Sequence, residues 1–301
     1  MLGVLLALLA AGANAAASVL QRAAARREPD SRAFSIGLLW DLAHRPVWIA
    51  GIGTIVVGFL LQAAALGNGA IALVQPLLVL ELPFTLVLAS RVFAGGLTAR
   101  EWQAIAAMAA GLAALLVGLA PSDEGVAAAG LFRWVTGLVV TLAVVALLVV
   151  LGLRGHGSRR AVLLGAATGL DFGLTAVLVK VVTAAYAQGI ATVFATWQTY
   201  LIIVTGPGGF FLLQNALEAG SLVASQPAMT LTNPAAAIAW GIAILGEPVR
   251  SGAWLVLAFA GAGAIAGGTV LLARSELFHT HHGMPPPSPR GRPSAQTDGI
   301  A

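Results

Sequence analysis

Residues 70–92 read AIALVQPLLVLELPFTLVLASRV, and residues 219–245 read AGSLVASQPAMTLTNPAAAIAWGIAIL. Both are apolar runs of at least the length, about 20 residues, that an α-helix needs to cross the hydrocarbon of a bilayer. Each contains a glutamine-proline pair with a second proline seven residues after the first. The positions are Gln75, Pro76 and Pro83 in the first stretch and Gln226, Pro227 and Pro234 in the second. The shared element predicts a duplicated membrane helix.

The composition of the whole chain points to the bilayer as its solvent. Of 301 residues, 58% are hydrophobic and 9% are charged, whereas soluble domains carry about 25% charged residues. The mean hydropathy is +0.91. The basic residues stand in short runs between apolar segments, which is typical of membrane topology signals rather than of a nucleic-acid surface. The chain has no cysteine, so disulfides and thiol chemistry are excluded.

The apolar runs predict an all-α, polytopic membrane protein with about nine transmembrane helices in an inverted-repeat bundle. Several runs are rich in alanine and glycine, which lets neighbouring helices approach closely. The predicted spans lie near 2–21, 47–67, 70–92, 102–120, 131–153, 161–184, 191–213, 219–245 and 252–273.

The distribution of Lys and Arg predicts the orientation of these spans. Basic residues in short loops are retained on the cytoplasmic side, and thirteen of the sixteen fall on one side of the predicted topology. The opposite side holds Arg133 and Arg250, next to the acidic Asp123 and Glu124, while Lys180 lies inside a span. The sequence therefore predicts a multi-pass protein of the cytoplasmic membrane with its N-terminus outside and its C-terminus inside.

Two terminal segments have alternative interpretations. The first span could be a cleaved signal peptide, but no Lys or Arg precedes it and a basic cluster follows it, so a retained span is expected. Residues 274–301 are rich in proline and are predicted to be a disordered cytoplasmic tail. The tail contains three histidines, His279, His281 and His282. They could bind a metal ion, but a mobile tail would hold the ligands poorly.

The repeated element extends into two matching halves. The run FLLQ occurs at residues 59–62 and at residues 211–214, and Trp102 opens the fourth span as Trp254 opens the ninth. Matching spans are five helices apart, and this odd offset inverts the second copy in the membrane. The predicted units are a first repeat at 1–120, a connecting helix at 131–153 and an inverted repeat at 161–273. Inverted repeats are a recurrent plan of secondary transporters, although an old duplication can also serve packing alone.

Several motifs carry a resemblance to a known family. They are Pro46-x-Trp48, Gly58-Phe59-Leu60-Leu61-Gln62-Ala63, Ala72-Leu73-Val74-Gln75-Pro76-Leu77 and Glu101-Trp102. Over about residues 1–273, the chain resembles the drug/metabolite transporter superfamily, including its EamA-like members, and in particular bacterial relatives of the NIPA-type magnesium-transporter branch. The resemblance implies two inverted halves around a central solute cavity, without ATP or a bound prosthetic group. The commoner pattern of that superfamily has ten spans, and a homodimer is possible.

Ionisable residues inside spans are costly and usually face a cavity or a partner. Glu81 and Asp171 both lie near the middle of their predicted spans, so two carboxylates at one depth are candidates to bind a cation or a proton. The alternative is that each is merely hydrogen-bonded within the bundle. Lys180 is out of helical phase with Asp171. It lies near the outer end of its span, where we expect it to snorkel toward the interface or to contact an anionic substrate.

Prolines and uncharged polar side chains complete the predicted site. Four prolines are hinge candidates because each removes a helix hydrogen bond: Pro76, Pro83, Pro227 and Pro234. The polar side chains could line the cavity or act as hydrogen-bond glue between helices; they are Gln62, Gln75, Gln214, Gln226, Asn14, Asn233, Trp197 and Gln198. The sequence contains no HExxH, P-loop or GxSxG motif, so an enzyme is not indicated.

These patterns predict a secondary transporter of a small metabolite or cation, working by alternating access among membrane lipids and without a cofactor. A divalent-cation transporter that resembles the magnesium branch is an alternative. A third possibility is a non-transporting membrane subunit for assembly or lipid modification, which would have a dry and closed interior.

Overall fold

The computed structural model describes residues 1–25, 46–93, 96–122, 130–219 and 222–273. In this part of the chain every regular element is an α-helix, and there is no strand. The helices are α1 Leu2–Ala25, α2 Pro46–Gly67, α3 Ile71–Leu78, α4 Glu81–Val92, α5 Ala99–Leu119, α6 Leu131–Arg154, α7 Gly157–Tyr186, α8 Ile190–Ala195, α9 Trp197–Glu218, α10 Leu222–Ala243 and α11 Trp254–Ala273. The predicted tail at 274–301, with its three histidines, and the acidic pair Asp123 and Glu124 lie outside the described residues.

Eight segments of the described chain are long and apolar enough to cross a membrane. They are Leu2–Gln21, Ile49–Gly67, Ile71–Val92, Ala99–Leu119, Leu131–Arg154, Gly157–Tyr186, Trp197–Glu218 and Trp254–Ala273. The predicted span at 219–245 is not among them. Its helix α10 is 22 residues long but carries a series of polar residues that lower its hydropathy: Ser225, Gln226, Thr230, Thr232 and Asn233.

Two predicted spans differ locally from the observed helices. The span at 70–92 is divided into α3 and α4 by a tight turn at Val79 and Leu80, whose backbone dihedrals remain in the right-handed helical region. The amide groups of these two residues bond to carbonyls three positions back, at Pro76 and Leu77, with distances of 3.1 Å each. The span predicted at 191–213 begins later, at Trp197, after the short helix α8.

Side chains fix where α5 begins. Thr98 caps the helix: its hydroxyl oxygen accepts a hydrogen bond from the Glu101 amide at 3.3 Å, and the Glu101 carboxylate accepts one from the Thr98 amide at 2.7 Å. This reciprocal arrangement satisfies two amide groups that a helix start leaves without carbonyl partners. At the other end Ala120 adopts a left-handed conformation with φ 37° and closes the helix.

Glycines allow α5 and α11 to pack backbone against backbone. A Cβ atom at Gly111 would lie 2.7 Å from the Gly261 carbonyl oxygen, and one at Gly118 would lie 2.6 Å from the Ala258 nitrogen. No side chain fits such separations, so the contact depends on glycine at these positions. Elsewhere α1 packs on α2, α3 and α4, whereas α7 lies between α9 and α10.

The outer surface of the bundle is apolar. Helix α6 contacts mainly α7 and leaves large aliphatic side chains exposed along its length, among them Val139, Leu142, Leu147 and Leu153. A water-soluble protein rarely exposes so extended an apolar surface, whereas lipid solvates it well. The protein is therefore an integral membrane protein with a helical bundle.

Candidate functional site

A buried ion pair joins three distant segments at one end of the bundle. Lys180 lies on α7, and its Nζ is 3.0 Å from Oε1 of Glu247, with side-chain exposures of 3% and 0%. The same ammonium group donates a hydrogen bond to the Gly69 carbonyl oxygen at 2.8 Å. Glu247 follows α10 in a loop whose backbone bonds back to Gly241 at 2.9 Å. Lys180 therefore does not snorkel to the interface, contrary to the expectation from its position near the helix end.

Glu247 also caps the start of α3. Its carboxylate accepts hydrogen bonds from the amide groups of Ile71 at 2.7 Å and Ala72 at 3.1 Å. These amides belong to the first turn, which has no carbonyl partners of its own and carries the positive end of the helix dipole. The carboxylate thus has an ammonium group and two amides as donors, which compensates a charge that burial would otherwise make costly.

Sequence reasoning missed Glu247 because the predicted span ended at residue 245, two residues before the glutamate. One signal was available. Acidic residues are scarce in this chain, with 12 in all, and Glu247 stands directly behind a long apolar run and before Pro248. An acid in that position is a reasonable partner for a lysine within a span, such as Lys180.

Glu81 lies at the break between α3 and α4. It is the eleventh residue of the 22-residue span Ile71–Val92 and the first residue of α4. The Asn14 side chain on α1 lies next to the Glu81 carboxylate, and Asn14 itself packs directly on Gly58 of α2. Glu81 is partly buried, so a carboxylate, an amide and a helix break meet at the middle of the bundle.

Asp171 lies in a different interface. It is the fifteenth residue of the 30-residue helix α7, and its Oδ2 contacts Gly209 of α9, where no Cβ would fit. The next residue, Phe172, packs edge-on against Phe210 with ring centroids 6.1 Å apart. Asp171 and Glu81 thus each lie at mid-span, but in different interfaces. Glu81 on α4 lies next to α1, whereas Asp171 on α7 contacts α9.

The structure divides the predicted polar side chains into buried and exposed ones. Gln75 and Gln198 are buried, with Gln75 exposing 2% of its surface, whereas Gln214 and Trp197 are exposed. Partly buried positions are Asn14, Gln62, Gln226 and Asn233. Gln75 Nε2 and Asn233 Oδ1 have no hydrogen-bond partner, although buried polar atoms usually have one. These two atoms are therefore available to a bound ligand or water.

The four prolines act differently in the two halves. Pro76 lies near the end of α3 and Pro83 lies in the first turn of α4, on either side of the break. Pro227 and Pro234 both lie inside the continuous helix α10. The repeated proline spacing therefore marks a helix interruption in the first half only.

Aromatic side chains gather where α6, α9 and α10 meet. Trp134 packs edge-on against Trp197, with ring centroids 5.2 Å apart, and against Trp240 at 5.5 Å. Trp240 Nε1 donates a hydrogen bond to Thr141 Oγ1 at 3.1 Å. Trp197, a predicted cavity residue, belongs to this cluster.

A cleft of about 460 Å³ lies between α6, α7 and α10. Its volume is in the usual range of small-molecule sites, about 300–1,000 Å³. Most of its wall is aliphatic or aromatic, and the polar groups are Arg133, Thr136 and Thr141. Leu170, the neighbour of Asp171, also lines it. The described residues contain no group of three or more His, Asp or Glu side chains that could hold a metal ion.

The fold and these contacts define an all-helical membrane protein with a buried ion pair at one end and carboxylates at mid-span. An uncharacterized protein of Corynebacterium glutamicum is 33% identical over 257 residues, covering 84% of this chain and 88% of that protein. The chain belongs to the same family as that protein. No family model matches the chain, and no solved structure is significantly similar to it.

Proposed function

We propose that this protein is a secondary carrier that moves a small metabolite or cation across the cytoplasmic membrane by alternating access. The observation that carries the proposal is the tight turn at Val79 and Leu80 within the span Ile71–Val92, with Glu81 directly after the turn and Asn14 next to its carboxylate. Backbone outside a regular helix is tolerated at mid-membrane only within protein or beside a cavity. Carriers typically place their ion and solute ligands at such broken helices.

The packing of the helices supports an inverted repeat of nine spans, with α10 counted as a span and α3 and α4 as one. In the proposed halves α1 corresponds to α7 and α2 to α9. Asn14 of α1 packs on Gly58 of α2, and Asp171 of α7 packs on Gly209 of α9. A polar side chain on the first helix of each half thus meets a glycine on the second. The fourth helices, α5 and α11, pack on one another, as expected for a pair across a pseudo-two-fold axis.

The orientation in this proposal follows the basic residues, with the N-terminus outside and the C-terminus inside. The ion pair of Lys180 and Glu247 then lies at the outer end of the bundle. Because it ties α3, α7 and the loop after α10 together, it closes that end. An outward-facing state requires these segments to separate.

The cleft beside α6 has room for a solute with an apolar part, but neither Glu81 nor Asp171 lines it. Its wall is mostly hydrocarbon, and Arg133 and two threonines offer the polar contacts. The magnesium alternative has less support, because Glu81 and Asp171 contact different helices and no cluster of three acids or histidines occurs among the described residues.

Uptake into proteoliposomes tests the proposal. We expect the reconstituted protein to accumulate at least one member of a panel of amino acids, amphiphilic cations and magnesium when a proton or sodium gradient is imposed. Glu81→Gln is expected to reduce that uptake at least about tenfold, the equivalent of about 1.4 kcal/mol, because it removes the charge at the helix break. Radiolabelled uptake at equal reconstituted protein provides the measurement.

The matched control is Glu218→Gln, the same chemical change at an exposed position at the end of α9. Its uptake should equal that of the wild type. Equal uptake by Glu81→Gln and wild type would contradict the role of the carboxylate. Absence of uptake for the whole panel would favour the non-transporting subunit.

A further inference from the structure

A row of polar side chains lies in the interface between α7 and α9. Asp171 and Thr175 are one turn apart on α7, and side chains with this spacing lie on the same helix face. On α9 the position that meets Asp171 is Gly209, and Thr205 lies one turn before it. The two helices are consecutive antiparallel spans, so Thr175 and Thr205 both lie on the same side of the Asp171–Gly209 contact. The Phe172–Phe210 contact fixes this register.

Three oxygen atoms in this row have no hydrogen-bond partner. They are Asp171 Oδ2, Thr175 Oγ1 and Thr205 Oγ1, and each is buried. Thr205 exposes 6% of its surface, so bulk water does not satisfy its hydroxyl. Buried polar atoms without partners are uncommon in proteins and costly. Three of them in one helix interface require an explanation.

Other threonines show that the orphan hydroxyls are not a general property of these helices. Thr168 and Thr183 lie on the same helix α7, and both donate a hydrogen bond of 2.8 Å to the carbonyl four residues back. Threonine in a membrane helix usually satisfies its hydroxyl in this way. Thr175 and Thr205 do not, so their hydroxyl oxygens remain without a hydrogen-bond partner.

We propose that Asp171, Thr175 and Thr205 form a binding site for a dehydrated monovalent cation of about the size of sodium. One carboxylate neutralises one positive charge, which a low-dielectric interface requires. A divalent ion would leave an uncompensated charge, and magnesium usually keeps several of its waters. A proton would neutralise the carboxyl group but could not be bound by both hydroxyl oxygens as well. A metal cation can be coordinated by all three oxygens.

This inference deepens the proposed function, on which it rests for its role: the cation would be the coupling ion of the carrier. Asp171 and Thr175 are partly buried, whereas Thr205 is buried. Binding would draw α7 and α9 together at the level of Gly209. The second proposed half then changes its packing with the ion concentration.

Thermal unfolding of the purified full-length protein in detergent tests the site without any assay of transport. Tryptophan fluorescence is followed during heating in sodium chloride, potassium chloride or choline chloride at one ionic strength. We expect sodium to raise the unfolding temperature saturably, because an ion that binds the folded state stabilises it. Thr175→Val and Thr205→Val keep the side-chain shape and should raise the half-saturating sodium concentration at least about tenfold. Asp171→Asn should abolish the sodium effect.

The matched control is Thr168→Val, a buried threonine of α7 whose hydroxyl is already bonded to Leu164; it should retain the full sodium effect. If Asp171→Asn does not fold, the two valine variants still decide the question. Equal unfolding temperatures in sodium and choline, or an unchanged sodium effect in both valine variants, would overturn the site. A sodium effect on unfolding without uptake in proteoliposomes would refute the carrier and leave the cation site intact. Uptake without a sodium effect on unfolding would refute the cation site and leave the carrier intact.

Discussion

Replacement of Lys180 by methionine is expected to lower the free energy of unfolding by about 3–5 kcal/mol, the usual cost of removing one partner from a buried ion pair. The variant leaves the Glu247 carboxylate buried, with the Ile71 and Ala72 amides but without its cation. It also removes the hydrogen bond from Lys180 to the Gly69 carbonyl. Unfolding of the purified protein by increasing mole fractions of sodium dodecyl sulfate measures the change.

Two further variants are compared with Lys180→Met. Lys180→Met combined with Glu247→Gln removes both charges and leaves a carbonyl to cap α3, so it should recover much of the lost stability. Arg250→Met removes a cation from the exposed surface near the same end, where Arg250 lies 4.8 Å from the Trp254 ring centroid. We expect that change to cost about 1 kcal/mol or less. A single Lys180 variant as stable as Arg250→Met would show that the pair contributes little.

The predicted spans were largely recovered because membrane crossing is a local property of the sequence. A run such as residues 131–153 is apolar over its whole length, and the observed helix Leu131–Arg154 differs by one residue. The same reasoning failed to recover the break at Val79 and Leu80. Pro76 and Pro83 indicated a distortion, but whether a proline interrupts a helix or only bends it depends on neighbours that satisfy the freed carbonyls. Pro227 and Pro234 have the same spacing inside the unbroken α10.

The candidate site was predicted only in part, because its contacts join residues that are far apart in the chain. Lys180 was singled out as an intramembrane charge, but its partner Glu247 is 67 residues away and its other contact, Gly69, is 111 residues away. Asn14 and Glu81 were each selected, but not as a pair. Thr175 and Thr205 were not selected, since a threonine in an apolar helix normally bonds to its own backbone. That their hydroxyl oxygens have no hydrogen-bond partner can be seen only in the packed structure.

Gly261→Val is expected to cost about 3 kcal/mol or more of folding free energy, at or above the upper end of the usual range for overpacking. A Cβ atom at Gly261 would lie 2.5 Å from the Leu115 nitrogen and would also overlap the Gly111 carbonyl oxygen. Both neighbours are backbone atoms of α5, which cannot rotate away as a flexible side chain can. Helices α5 and α11 would have to separate, with loss of the close packing that holds glycine-rich helices together in lipid.

Gly263→Val is the matched control, since it makes the same change two residues further along α11, where a Cβ would contact nothing within 4 Å. Both variants exchange glycine for a β-branched residue in the same helix, so differences in helix propensity cancel. The difference between their free energies of unfolding, measured in sodium dodecyl sulfate, should therefore equal the whole cost of the lost helix packing. Because α5 and α11 belong to different proposed halves, Gly261→Val should also abolish uptake in the carrier. Equal stability of the two variants would mean that the halves are not held together through this contact, and the pseudo-two-fold arrangement would lose its central pair.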